Sequence, residues 1–262
     1  MINQGFMVVA LEARLKGCKN VITLGVRPNF SDYGPKESEL IRKAQKVYYP
    51  TGFYADLFDA AGKTIFPSYH TYKFAQDKIK QTAMFDLLKI PHPRTRVFYG
   101  KRQKEKIGEY FSYPFIAKIA RGSAMGRGVY LIKNRQDLEA YLSLTGPAYI
   151  QEYLPIDRDL RVVVIGKRVV HAYWRIAPPG EFKSNVAAGA RVVFEKVPEE
   201  SLNLALFTAK ACGWNDVGID ICCRDGKYYV LEGNMKYGKE GFRQAGIDYL
   251  KLMETLIENG EI

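Results

Sequence analysis

Short apolar runs broken by polar turns recur along the chain, and between them lie stretches whose apolar residues fall three and four apart. The runs read as strands and the spaced stretches as helices. Residues 20–26, NVITLGV, predict a buried strand. Residues 35–45 predict a helix, with Pro35 in its first turn and Leu40, Ile41 and Ala44 apolar. A short strand over 47–49 and a short helix over 54–61, closed by Gly62, complete a small α/β unit. A longer helix is predicted over 75–89 and stops at Ile90-Pro91-His92-Pro93. A strand over 95–99, a helix over 102–111, strands over 115–120 and 129–133, a helix over 135–144 and a strand over 148–154 follow. Residues 159–166 and 168–176 predict a hairpin, 190–197 a strand, 198–212 an amphipathic helix capped by Gly213, and 242–259 a closing helix.

Between the last two helices, two apolar runs, Asp216-Val217-Gly218-Ile219-Asp220-Ile221 and Tyr228-Tyr229-Val230-Leu231-Glu232-Gly233-Asn234, flank Arg224-Asp225-Gly226-Lys227 and predict a second hairpin. Glu232 and Asn234 are two apart and share a strand face. A two-residue turn at Asp225-Gly226 would pair Asp220 with Leu231, on the face opposite Glu232. A three-residue loop of Asp225, Gly226 and Lys227 would set Asp220 opposite Glu232. We expect the second, because two carboxylates and an amide then form a hard-oxygen site suited to Mg²⁺. The blander reading is a polar, wet face of an exposed hairpin.

Composition narrows the field. The chain has 262 residues and is 47% hydrophobic, enough for one large core or two modest ones. No apolar run approaches the ~20 residues that span a bilayer. Residues 1–17 carry Glu12 and Arg14 within an apolar stretch and lack a signal-peptide layout. Cys18, Cys212, Cys222 and Cys223 form no Cys-x-x-Cys pair, so a reduced cytoplasm with packing thiols is the expected setting. A net charge of +11 favours anionic partners. The densest basic cluster, Lys101-Arg102-Gln103-Lys104-Glu105-Lys106, falls in a predicted helix and reads as a solvated face. No zinc finger or RNA-binding aromatic signature accompanies it, so a nucleic-acid partner is not expected.

Lys118 lies among apolar residues of the strand over 115–120, a costly place for a charge without a partner or a bound anion. A lysine at a sheet edge reaching to water is the alternative. The following loop, Arg121-Gly122-Ser123-Ala124-Met125-Gly126-Arg127-Gly128, could fold its N–H groups over phosphate, or be a plain flexible hairpin. It is neither a Walker A loop nor part of a kinase motif set. Arg161 and Arg175 on neighbouring strands, with Lys183, Ser184 and Asn185 in a later loop, could hold a carboxylate or phosphate, or serve surface salt bridges.

In this order and spacing the motifs resemble the ATP-grasp superfamily, in particular its RimK-like amino-acid and peptide ligases with a glutathione synthetase-type ATP-binding domain. The residues that carry the resemblance begin with Asp77-Lys78 and Ile90-Pro91-His92-Pro93-Arg94-Thr95, and continue with Tyr113-Pro114-Phe115-Ile116-Ala117-Lys118 and the glycine loop through Val129. Gln151-Glu152-Tyr153-Leu154, Asp159 through Gly166, Phe182-Lys183-Ser184-Asn185, Val217-Gly218-Ile219-Asp220 and Leu231-Glu232-Gly233-Asn234 complete it. The resemblance covers residues 75–262. It implies an α/β (α+β) ATP-grasp fold over 76–262, two sub-domains of antiparallel sheet with helices clamping ATP, preceded by a small α/β domain over 1–75.

The resemblance also implies roles. Lys78 and Lys118 would contact nucleotide phosphates beneath Gly122, Ser123, Gly126 and Gly128. Gln151, Glu152, Tyr153 and Leu154 would line the adenine, and Asp159 would sit near the ribose. Asp220, Glu232 and Asn234 would hold Mg²⁺, or Mn²⁺ in its place. Arg161, Lys183 and Asn185, assisted by Arg175, would orient the acceptor carboxylate and its phosphorylated form. The implied reaction joins a carboxylate to an amine through an acylphosphate, releasing ADP and phosphate. The basic pocket suggests an acidic amino acid or peptide as substrate, and the short first domain leaves room for a homo-oligomer that completes the site. The alternative is an ATP-binding regulatory or accessory protein without turnover. Two departures bear on this choice. Gly233 stands where the family has valine, with no proline before Gly238, and Lys183 stands where arginine is common.

Overall fold

The computed structural model describes residues 8–120, 128–178 and 189–262. Within them the strands form three sheets. The first is parallel, with β1 (Val8–Ala10), β2 (Val21–Thr23), β3 (Lys46–Tyr48) and β4 (Thr64–Phe66) in the order β2-β1-β3-β4. α1 (Pro35–Lys43) connects β2 to β3, and α2 (Thr51–Ala60) connects β3 to β4. Three-residue strands leave too little sequence for a period, so β1 and β4 have no counterpart in the pattern, and the strand expected over 20–26 shrinks to Val21–Thr23.

Two helices lead out of this sheet. α3 (Tyr69–Phe74) is also absent from the predicted order, because its apolar face is mostly aromatic; Ser68 caps it, its hydroxyl accepting from the Thr71 amide at 3.1 Å. α4 (Lys78–Leu88) starts later than the expected residue 75. The Asp77 carboxylate caps it, accepting from the Ile79 and Lys80 amides at 3.1 and 3.2 Å, and this cap puts Lys78 at the first helical position.

The central sheet is antiparallel. β5 (Thr95–Phe98), β6 (Phe115–Lys118), β7 (Val129–Ile132) and β8 (Ala148–Glu152) take the order β5-β8-β6-β7. The helix expected over 102–111 is two short pieces, α5 (Gly100–Lys104) and α6 (Ile107–Tyr110), and α7 (Arg135–Leu142) links β7 to β8. The third sheet holds β9 (Arg158–Ile165), β10 (Arg168–Ile176), β11 (Arg191–Val193), β12 (Asp216–Arg224) and β13 (Lys227–Asn234) in the order β11-β10-β9-β12-β13. α8 (Glu199–Cys212) ends at Gly213, whose φ of 68° makes the left-handed cap that glycine adopts without strain. The closing helix expected over 242–259 is likewise divided, into α9 (Glu240–Gln244) and α10 (Tyr249–Glu258), because Asp248 caps a new start.

One core runs through the parallel and five-stranded sheets and includes Val9, Leu15, Val47, Val162, Val164, Ile219, Met253 and Leu256. The central sheet has its own, smaller core around Phe98, Ile107, Phe115, Tyr141 and Ile150. Lys118 ends β6 on the side facing the large sheet, so the space between these two bodies is where charge gathers.

Candidate active site

β12 and β13 set the site's register by an unexpected route. Arg224 pairs with Lys227, so the turn is two residues, Asp225 and Gly226, at φ 52° and 73°. This corrects the three-residue loop. Uninterrupted, it would have set Asp220 against Leu231. Instead the ladder steps from Ile221–Val230 to Asp220–Glu232 and leaves Leu231 as a bulge, which returns Asp220 to its place opposite Glu232. Gln81 of α4 fixes the strand there. Its amide donates to the Gly233 carbonyl and accepts from the Gly233 N–H, both at 2.8 Å, between Glu232 and Asn234.

A cluster of alternating charge fills the cleft. Arg161 grips Asp220 through two nitrogens, the second contact at 3.0 Å, and donates to the Tyr237 carbonyl at 3.1 Å. Arg175 holds Asp159 bidentately at 2.7 and 2.6 Å and reaches Asp220 at 2.9 Å. Burial opposes the Arg175 charge, but Asp159 and Asp220 overcome it and raise its pKa. All four side chains are buried. Lys78 Nζ lies 3.6 Å from Glu232 Oε2. Burial works against the Glu232 charge as well, yet Lys78 and Lys118 outweigh it and, with a hydrogen bond from Asn234, hold its pKa down at about 2.

Lys118 is only 8% exposed. Burial lowers its pKa, against the pull of Glu232. The lysine therefore faces acids across the cleft rather than water. Cys222 shares this neighbourhood, and burial keeps it a neutral thiol, pushed up to about 12.

Glu232 and Asn234 suit a hard divalent cation, and Asp220 adds a carboxylate whose two oxygens are already engaged by Arg161 and Arg175. Asn234 Nδ2 donates to Glu232 Oε1 at 2.9 Å and Asp220 Oδ2 at 3.4 Å, so the three groups converge, and a half-turn of the amide would present its oxygen instead. Among the described residues no cluster of three His, Cys, Asp or Glu side chains forms a cage. A two-carboxylate, one-amide set suits Mg²⁺, which keeps ligand positions for water and phosphate.

Other candidate residues are placed differently. Gln151 is buried with its amide donating to Thr95 Oγ1 at 2.9 Å. Glu152 turns its carboxylate to the Arg94 amide at 2.6 Å and gives its own N–H to the Arg94 carbonyl, so its side chain is engaged at the strand end. Tyr153 and Leu154 follow, half-buried. The Asp159 carboxylate is closed against Arg175 rather than left open for a ribose. Gly128 adopts φ 76° at the end of the glycine loop. Gly122, Ser123, Gly126, Lys183 and Asn185 lie outside the described residues.

A second polar cluster was not anticipated. Asp216 is wholly buried and accepts from the hydroxyls of Tyr237 at 2.6 Å and Tyr49 at 2.9 Å. Arg14 lies 3.8 Å from Asp216, donates to Tyr249 Oη at 3.0 Å and to the Met235 carbonyl at 3.3 Å, and stands over the Tyr237 ring at 4.6 Å. Asp216 at the head of an apolar strand and Arg14 within an apolar stretch were both readable as anomalies, but not as partners of one another.

Residues 75–257 match the RimK-like ATP-grasp domain family. The chain belongs to that family. A probable alpha-L-glutamate ligase 2 of Shewanella frigidimarina (strain NCIMB 400) is 34% identical over 138 residues, 50% of this chain and 46% of that protein. A probable alpha-L-glutamate ligase 1 of Hahella chejuensis (strain KCTC 2396) is 29% identical over 192 residues, 70% of this chain and 63% of that protein. The chain spans about half the length of the first of these relatives. The ATP-grasp ligase PsnB, complexed with a phosphomimetic variant of minimal precursor, Mg and ADP, superposes with a TM-score of 0.73 at 18% identity, covering 99% of this chain and 100% of that one. The D-alanine–D-alanine ligase of Bacillus anthracis does so at 0.68 and 15%, covering 91% and 85%. These structures establish a shared ATP-grasp ligase fold. No helix among the described residues is long and apolar enough to cross a membrane.

The departures from the ATP-grasp pattern in the β12–β13 hairpin and just after it have physical counterparts. A Cβ on Gly233 would come within 2.5 Å of the Trp214 ring, so the family's valine has no room. Tyr237, just before Gly238 where the family has proline, is anchored instead by its hydroxyl to Asp216 and its carbonyl to Arg161.

Proposed function

We propose that this ATP-grasp protein is an ATP-dependent carboxylate–amine ligase. A substrate carboxylate oxygen attacks the γ-phosphorus of ATP, the bond to the β–γ bridging oxygen breaks, and ADP leaves. The amine nitrogen then attacks the acyl carbon, the bond to the phosphate oxygen breaks, and an amide and phosphate result, with the amine's protons passing to solvent. The single observation that carries this reading is Lys118, buried and facing Glu232 and Asp220 across the cleft beside Lys78. Two lysines beside a carboxylate-lined sheet suit a metal–triphosphate, the lysines for its phosphates and the carboxylates for its metal.

Lys78 and Lys118 bind phosphate oxygens in this reading, and Glu232 and Asn234 hold Mg²⁺ with Asp220. Bound there, Mg²⁺ supplies charge stabilisation to the transferring phosphoryl group. Arg161 orients the reacting carboxylate while its grip on Asp220 keeps the two strands in register, and Arg175 secures Asp159. Lys183 and Asn185 join from their loop, with the lysine giving a point charge where arginine would give a fork. Residues 1–75 form the small α/β domain that presents a substrate to the ATP-grasp domain over 76–262. The names of its relatives make L-glutamate the first amino acid to try, as free substrate or on an acidic peptide.

ADP release from Mg-ATP, measured across paired carboxylates and amines, tests this directly. Release that needs both substrates and falls by at least about 100-fold in Glu232→Gln is expected, the scale of losing a group that stabilises transition-state charge. Nucleotide binding without ADP under any pairing would leave an accessory nucleotide binder. Failure to bind Mg-ATP would remove the reading altogether.

A further inference from the structure

A lysine is a point charge on a flexible four-carbon stem, and fixing it in one place costs the freedom of that stem. Lys118 is the last residue of β6, just before the glycine loop. Two tyrosines meet it there. Tyr149 stands opposite Lys118 in the β6–β8 register, and the ammonium lies over its ring, 5.8 Å from the centre. A desolvated ammonium is attracted to the negative face of such a ring. Tyr141, on α7, works on the backbone instead. Its hydroxyl donates to the Lys118 carbonyl at 2.7 Å and accepts from the Tyr149 N–H at 3.0 Å. One buried hydroxyl thus fastens the two residues together where β6 ends.

Tyr149 is anchored in turn. Its hydroxyl shares a hydrogen bond of 2.7 Å with Thr82 Oγ1 in the protein interior. Thr82 lies on α4, one turn after Lys78 and next to Gln81, which grips the Gly233 backbone. The helix that presents one phosphate lysine therefore also braces the ring under the other.

Filling space does not account for this residue. Among the described residues, Tyr149 is buried yet part of neither apolar core, although its neighbours Ala148 and Ile150 belong to the smaller one. Its side chain points the other way, into the cleft with Lys118.

We infer that Tyr149 and Tyr141 are positioning residues for Lys118, Tyr149 through the ring under its ammonium and Tyr141 through the backbone that carries its stem. The inference rests on the phosphate role given to Lys118 in the ligase reading and adds the residues through which that role is carried out.

A double-mutant cycle on nucleotide binding tests it, with Mg-ADP and adenosine titrated calorimetrically into the full chain. Tyr149→Leu weakens Mg-ADP about 5- to 30-fold, the scale of a desolvated cation–ring contact, and adenosine by less than about 2-fold. In a Lys118→Met background the same change weakens Mg-ADP by less than about 2-fold further, because the ammonium it would position is gone. Tyr149→Phe keeps the ring and stays within about 3-fold of wild type. Equal loss of adenosine and Mg-ADP in Tyr149→Leu, an unchanged Mg-ADP affinity, or the same loss with and without the lysine overturns the inference and leaves the ligase reading standing. Should Tyr149→Leu fail to fold, Tyr141→Phe runs the same cycle. It weakens Mg-ADP about 2- to 10-fold only where Lys118 is present, and an equal loss in the Lys118→Met background overturns the inference. A wild-type chain that binds no Mg-ADP, or a Lys118→Met chain that binds it as tightly, overturns both readings. A chain that follows the cycle but yields no ADP from Mg-ATP supports the inference while removing the ligase.

Discussion

Glu232 sits between Lys78 and Lys118 and carries its negative charge far into acid. Its ordinary value is 4.5 and the folded value about 2, so the unfolded chain takes up its proton first as pH falls. The stabilisation from its ionised form is therefore complete above about pH 4.5 and is lost progressively between there and pH 2, at most about 3 kcal/mol. Glu232→Gln has no such carboxyl. The gap in urea-unfolding free energy between wild type and variant should narrow from pH 5 to pH 2.5, and parallel curves would contradict the assignment. Lys118 and Asp220 were legible in the sequence because a charge inside an apolar strand is an anomaly that demands a partner. Gln81 and Tyr237 were not, because a glutamine on a helix and a tyrosine in a loop depart from nothing until the fold shows what they touch.

The hairpin of β12 and β13 shows how an element can reach the expected register by a different geometry. The expected three-residue loop gave way to the two-residue Asp225-Gly226 turn, while the Asp220–Glu232 pairing was readable from the chemistry it would make. The bulge at Leu231 was not, since an unpaired residue in a strand leaves no mark in an apolar run. The same strand is fitted to its neighbours from both sides, by Gln81 along the backbone and Trp214 over Gly233. Gly233→Val restores the family's residue but forces a branched side chain into the indole. It should lower the unfolding free energy by about 1–3 kcal/mol, the usual cost of overpacking. Chemical denaturation reads this out; an unchanged midpoint would mean that Trp214 yields its space freely.

Across the molecule, the division into sheets was less legible than the motifs, because the chain order of elements does not reveal which cores merge. Asp216 and Arg14 illustrate why: they are over 200 residues apart in sequence yet meet in one buried cluster, which binds the loop after β1 to the head of β12. The parallel and five-stranded sheets accordingly share a core, while residues 95–152 pack on a smaller core of their own. A clamp needs such an arrangement, with Lys118 on the smaller body and Glu232 on the larger. Local opening follows buried apolar contact, so the smaller body should open more cheaply than the larger. Native-state hydrogen exchange should give the amides of β6 and β8 one common opening free energy, below that shared by β9 and β12. Mg-AMPPNP should raise the first toward the second by bridging Lys118 to the large sheet. Equal values without nucleotide would mean that the two cores unfold as one, and closure would then have to come from the loops rather than from the central sheet.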